Sequence, residues 1–250
     1  MGAENNVDHP TPYPLHPVPH PLYPVPVLLS IDTCGPSGSI ALARLDHEQL
    51  AILSQETLAG KTYSARLVPA ISELLASQQI AVADLAAIIV TKGPGSFTGI
   101  RIGLSTAKGL AEVHRTPLIA VSRLQVLAHK AQTHAAALDA SRHEFYFGRY
   151  DENPRETLIN RDAFESEAAA LGQELAICEP ALQPLVPAAA VVDSPTAADA
   201  LRFALARFRA RDFDDPLTLD GNYLRRSDAE IFSQPGARRP KPPRSPQPEP

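Results

Sequence analysis

A chain of 250 residues, 44% hydrophobic and 20% charged, has enough apolar mass for a sizeable core. Its formal net charge of −5 argues against a surface whose main task is gripping nucleic-acid phosphates, because counterion release rewards a basic excess. Its two cysteines, Cys34 and Cys178, lie in different halves with no CxxC pair or Cys/His cluster, so neither a zinc site nor a disulfide framework is indicated.

Proline marks the ends. Of 25 prolines, eight fall in residues 1–26 and seven in 234–250. Proline lacks a backbone donor and fixes φ, so neither end is expected in a helix or a central strand. Both read as disordered or loosely docked extensions, with a proline-recognition ligand as the alternative. The expected folded part is 27–233. No charged start followed by an apolar core and no membrane-length run is present, so the expected location is the cytoplasm.

Val27–Thr33 is a continuous apolar run ending near Asp32, as a buried strand would be. The turn Cys34–Gly38 leads to strands at Ser39–Leu45 and Gln49–Leu58. Thr62–Ser77 has Leu67, Ile71, Leu74 and Leu75 at helical spacing. A strand at Leu85–Thr91, a helix at Phe97–His114, a strand at Pro117–Val121 and a helix at Ser122–Ala131 follow. The second half repeats this more faintly. Its strands are Ala136–Ala140, Glu144–Tyr150 and Glu156–Asn160, followed by a helix Asp162–Leu171 that Asp162 would cap. Short strands at Leu175–Cys178 and Ala188–Val192 and a helix at Thr196–Arg211 close the pattern. Two βββαβαβα halves are the order of the actin-like ATPase α/β fold; a single doubly wound sheet is the competing architecture. The expected division is a lobe at 27–134 and a lobe at 135–233, between extensions 1–26 and 234–250.

The informative stretch is Lys92-Gly-Pro-Gly-Ser-Phe-Thr-Gly-Ile-Arg-Ile-Gly and the helix it opens. Gly93 and Gly95 permit a tight turn with outward-facing amides, and Ser96 or Thr98 can cap the helix. The loop is neither a Walker A nor a GxGxxG fingerprint. Gly99, Gly103, Ala107 and Ala111 make a stripe with almost no side chain, although a helical glycine costs about 1 kcal/mol against alanine. Something packs unusually close to it: the chain's own sheet or a second helix. Arg101, Ser105 and Lys108 form a polar row elsewhere on the helix, beside Ile102.

On these residues the chain resembles the TsaB family, also called YeaZ, of bacterial threonylcarbamoyladenosine biosynthesis. Leu29-Ser-Ile-Asp-Thr-Cys34, Tyr63-Ser-Ala-Arg-Leu-Val-Pro69, Val121-Ser122, Leu138-Asp-Ala-Ser-Arg142 and Tyr223-Leu-Arg225 also fit. Tyr63 stands where that family usually has His, Cys34 where it often has Ser, and the second half looks short. The resemblance implies an actin-like fold in two lobes and a non-catalytic subunit of a tRNA-modifying complex. Its implied partners are a TsaD-type transferase paralogue and a TsaE-type small ATPase, with tRNA reached only through the complex and a homodimer when alone. It implies no cofactor in this chain; ATP and a metal would belong to the partners. In the transferase a His-x-x-x-His pair holds the metal, and the matching positions here are Arg123 and Leu127, neither able to ligate a cation.

Asp32 and Asp139, at equivalent places in the two halves, remain weak candidates for nucleotide contact; for Asp32, capping the following turn is the expected role. His129 and His134 read as surface residues. The expected partner surface lies on the helices at Thr62–Leu75 and Phe97–Ala111, through Tyr63, Leu67, Val68, Ile71, Phe97, Thr98, Arg101, Ile102, Ser105 and Lys108. The rivals are a stand-alone actin-fold ATPase or kinase, a transferase in its own right, and a chaperone or glycoprotease-like protein.

Overall fold

The structure is a computed structural model and describes residues 25–225. The proline-rich extensions lie largely outside the described residues. Ten strands and five helices are present among the latter, in the expected order. In the first half, strands β1 (Val27–Asp32), β2 (Ser37–Asp46) and β3 (Gln49–Ala59) form a meander. Helix α1 (Tyr63–Ser77), strand β4 (Leu85–Thr91), helix α2 (Phe97–His114), strand β5 (Leu118–Val121) and helix α3 (Arg123–Ala131) follow. The sheet order is β3-β2-β1-β4-β5, with β1, β4 and β5 parallel and the meander antiparallel.

Every residue of β1 is buried because helices cover both faces of this sheet. Leu29 and Ile31 join Ile40, Leu42, Leu67, Ile71 and Leu74 beneath α1 and α2. Leu28, Ala41, Ala43 and Ala87 make the opposite face, which is shallow because it is built largely of alanine.

The second half holds β6 (Ala135–Asp139), β7 (Glu144–Arg149), β8 (Arg155–Asn160), α4 (Arg161–Leu171), β9 (Leu175–Ile177), β10 (Ala190–Val191) and α5 (Ala197–Arg209). Its sheet order, β10-β9-β6-β7-β8, mirrors the first. Two details differ from expectation. Asn160 rather than Asp162 caps α4, its side chain accepting from the Ala163 amide at 3.0 Å, and Asp162 sits inside the first turn. Between β9 and β10 the helix of the first half is replaced by one 3-10 turn, Pro180–Leu182. Pro180, Pro184 and Pro187 explain it, since each denies a helix its backbone donor.

The two closing helices change places. Helix α3 ends the first half yet packs on the second sheet, where Leu124, Leu127 and Ala128 meet Ala136, Leu138 and Ala176. Helix α5 ends the second half yet packs on the alanine face of the first sheet, through Ala197, Ala200, Leu201 and Ala204. The Ser39 hydroxyl on β2 accepts from the Ala197 amide at 2.8 Å and fixes the start of α5 there. The two helices also touch each other. Lys130 donates to Asp199 at 2.9 Å, and His129 meets the edge of Phe203 with centroids 5.5 Å apart.

Since the alanine face leaves no spare volume, Ala200→Leu is expected to destabilise the whole chain by about 1–3 kcal/mol. One urea transition, lowered for probes in both halves, is the expected readout. A loss confined to probes in the second half would contradict the seating of α5 on the first sheet.

Candidate functional site

The cleft is assembled from strand ends. At the end of β1, Asp32 is buried and accepts the Cys34 amide through Oδ1 at 2.9 Å, the turn-capping role expected of it. At the end of β6, Asp139 does the same for the Ser141 amide at 2.7 Å. Two meanders of one design thus present equivalent turns to one cleft, of about 920 Å³, which both turns line. Its floor and walls also include Tyr63, Thr98, Arg123 and Glu179.

The glycine-rich loop forms one wall and is stitched to the β1 turn. The Ser96 amide donates to the Cys34 carbonyl at 2.8 Å, and the Cys34 thiol reaches the Thr91 carbonyl at 3.2 Å. A Cβ on Gly95, whose φ is +154°, would fall 2.3 Å from the Cys34 carbonyl oxygen, so no larger residue fits. Ser96 caps α2 by accepting the Gly99 amide at 3.2 Å. The small stripe on α2 packs within the chain: Cβ atoms at Gly99 and Gly103 would fall 2.0 and 2.3 Å from Thr33 oxygens. Thr33 Oγ1 itself donates to the Gly99 carbonyl at 2.7 Å. No room for a second helix remains there.

Arg123 dominates the site. It is the first residue of α3 after the Ser122 cap, and its amide donates to the Gly93 carbonyl at 2.7 Å. Its side chain is only 4% exposed, yet Nε has no hydrogen-bond partner among the described residues. Burial works against its charge, but the fields of acids, Asp32 foremost and Glu179 with it, outweigh that and hold it protonated. Burial raises the Asp32 and Glu179 carboxyls, with Arg123 opposing the rise. Burial and Asp32 push the Cys34 thiol well up; burial and Glu179 push Cys178 up to about 11. The Tyr63 hydroxyl donates to the Gly35 carbonyl at 3.0 Å and pins the β1 turn, and burial pushes it up to about 12.

The remaining expected residues divide. Leu127 is sealed in the core of the second half. Among the described residues no group of three or more His, Cys, Asp and Glu could hold a metal ion, so the donor set does not fit one. His129 and His134 stand away from the cleft, the first against Phe203 and the second 3.9 Å from Glu174. On the helices expected to meet a partner, Tyr63, Leu67 and Ile71 are buried in the chain's own core, because the apolar stripe of α1 faces its sheet. Val68 is 58% exposed instead, at the edge of an apolar groove of about 350 Å³ with Ser72, Leu75, Ile80 and Leu110. Thr98, Arg101 and Ser105 are exposed and Ile102 half-buried. Phe97 lies under the Arg101 guanidinium at 4.2 Å and beside Tyr223 at 4.8 Å, while Lys108 is tied to the Leu219 carbonyl.

Sequence reasoning missed Glu179 and weighed Arg123 only as a lost ligand. The available signal was a cation in a run of apolar residues directly after a buried strand. It also missed the strap that follows α5. There Asp214 accepts the Ala120 amide at 2.7 Å, Asn222 donates its amide to the Lys92 carbonyl at 2.7 Å, and Arg225 reaches the Ser141 carbonyl at 3.0 Å.

Two meanders, two mixed sheets and a cleft between equivalent turns define an actin-like α/β protein. The model of the family described as "TsaD: tRNA N6-adenosine threonylcarbamoyltransferase" matches residues 51–200, more than half of the chain. Among curated relatives, the tRNA threonylcarbamoyladenosine biosynthesis protein TsaB of Bacillus subtilis is 40% identical over 127 residues, 49% of this chain and 54% of that protein. The Escherichia coli protein of the same name is 33% identical over 134 residues, 50% of this chain and 56% of that protein. The chain thus spans about half the length of the curated relatives it matches. A Pseudomonas aeruginosa structure, described as an uncharacterized protein with similarity to peptidase YEAZ, superposes with a TM-score of 0.64 at 26% identity, over 80% of this chain and 100% of that one. The YeaZ structure from the same organism gives 0.61 at 24% identity over the same shares. The chain belongs to the TsaD family and, within it, to the TsaB (YeaZ) proteins.

Both thiols are buried and hold their protons above neutrality, so neither should be alkylated in the native chain at pH 8. Mass spectrometry after iodoacetamide should find label on Cys34 and Cys178 only once denaturant is added. Rapid native labelling of either would contradict the site's electrostatics.

Proposed function

We propose that this chain is a non-catalytic, TsaB-type subunit of the tRNA threonylcarbamoyladenosine-forming complex, pairing with a TsaD-type transferase and a TsaE-type small ATPase. Family membership supports the process. The observation that carries the subunit role is the guanidinium of Arg123, buried in the cleft floor where a metal-dependent transferase needs a cation. A fixed positive charge repels a divalent ion at short range in a poorly screened interior. A guanidinium also has no lone pair with which to ligate one.

Pairing would use the outer side of α1 and α2. Val68 and the apolar groove beside it supply hydrophobic contact, and Arg101 and Ser105 supply a polar rim. In this reading the chain holds its partner in an active conformation, since binding shifts whichever state it favours. The net charge of −5 fits a subunit that reaches tRNA only through the complex.

Co-purification with the transferase paralogue, followed by adenosine modification with and without this chain, tests the reading. Modification should require the chain, and Val68→Glu should weaken pairing about tenfold or more without unfolding it. Full modification without the chain, or ATP turnover by the chain alone, would favour the rival reading of a stand-alone actin-fold enzyme.

A further inference from the structure

Arg123 is a buried cation whose guanidinium forms no ion pair within 4.0 Å among the described residues and whose Nε lacks any hydrogen bond. Asp32 and Glu179 act on this charge through their fields, but neither bonds it, and a buried charge without a directly bonded counter-group is costly; the residue lines an open cleft. No carboxylate oxygen among the described residues lies within 4.0 Å of it, and Glu179 Oε2 is itself buried without a partner. Asp32 Oδ1 is engaged with the Cys34 amide and Asp139 Oδ1 with the Ser141 amide.

A second feature meets Arg123 in the same cleft. Helix α2 runs 18 residues, and its N-terminus lines the wall through Gly95, Ser96, Thr98 and Gly99. Ser96 satisfies the Gly99 amide through its hydroxyl and the Ile100 amide through its carbonyl. The amides of Phe97 and Thr98 find no acceptor among the described residues. Aligned peptide dipoles make such an end favourable for negative charge.

We propose that the cleft binds a small oxyanion, the carboxylate or singly charged phosphate group of a polar molecule, between Arg123 and the N-terminus of α2. The guanidinium offers a planar fork of donors that such a group accepts in pairs. The volume of about 920 Å³ holds a metabolite-sized molecule. Of the charged residues lining the cleft, Asp139 and Glu179 would repel a polyphosphate, which limits the ligand to low charge, while Lys61 and Arg123 are its cations. The proposal concerns the isolated chain and does not rest on its role as a subunit.

The test uses the purified full chain, titrated with sodium acetate and, separately, with inorganic phosphate, at ionic strength fixed by sodium chloride. Calorimetry gives affinity, and nitrogen-15 NMR follows the arginine Nε–H signals. Saturable binding with Kd on the order of 1 mM is expected, with the Arg123 Nε–H resonance moving in step with occupancy. Arg123→Met, with its melting transition intact, should bind at least tenfold more weakly, and Arg123→Lys should fall between. Saturation by acetate alone assigns a carboxylate ligand, and by phosphate alone a phosphate monoester. No saturable binding of either anion, equal affinity in Arg123→Met, or an Nε–H resonance indifferent to bound anion would overturn the proposal. Should Arg123→Met fail to fold, the wild-type Nε–H titration decides the question unaided.

Discussion

The exchange of closing helices is the constraint on which the rest of the molecule depends. Neither sheet covers both of its faces with helices from its own half. The first sheet needs α5 on its alanine face, and the second needs α3. The core is therefore shared along the chain, and the halves are coupled where α3 and α5 meet through Lys130 and Asp199. Burial alone would raise the Asp199 carboxyl, but bonds from Lys130 and Thr196 outweigh it and hold it below the usual range. That contribution to stability is complete above the ordinary aspartate pKa and fades as pH falls through the depressed value. The same residue closes a capping box with Thr196, so one carboxylate both starts α5 and ties it to α3.

The exchange also decides what the cleft contains. Helix α3 leaves the end of β5 and crosses to the other sheet, so its first residue has to stand at the seam between the two halves. That residue is Arg123. A side chain there lines the cleft with residues of both meander turns, and the guanidinium feels the charges of Asp32 and Glu179 without an ion pair to either within 4.0 Å. Tyr63 and the loop at Gly95 then fix the β1 turn from two sides. The cleft is preorganised by backbone contacts, and its buried positive charge comes from the helix that joins the halves, with Lys61 the other cation of the lining.

Much of this fold could be read from the sequence because burial on both faces leaves long apolar runs and periodic helices. Strand β4 and helix α2 begin and end where the pattern places them. The second half was fainter for physical reasons: β10 has two residues, and prolines reduce its second crossover to one turn. The exchange of α3 and α5 left no mark, since an amphipathic stripe shows that a face is covered but not by which sheet. The same ambiguity touched α1, where Leu67 and Ile71 signal an apolar face that the chain itself buries. Arg123 was hidden for the opposite reason. An arginine at the first position of a helix ordinarily points into solvent, and only the tertiary crossing puts it indoors.

A guanidinium and a metal ion bring opposite chemistry to a cleft. A metal can be exchanged, can accept lone pairs and can leave with its ligand; Arg123 does none of these. It is covalently fixed, donates hydrogen bonds in one plane and keeps its proton at any pH at which the chain folds. A cleft built around it therefore has reversed chemistry. Where a metal site gathers ligand oxygens by coordination, this lining offers hydrogen-bond donors, Arg123 and the end of α2 among them. The carboxylates of Asp139 and Glu179 in the same lining oppose the entry of further negative charge. The actin-like cleft thus carries a fixed, planar hydrogen-bond donor at the start of the helix that joins the two halves.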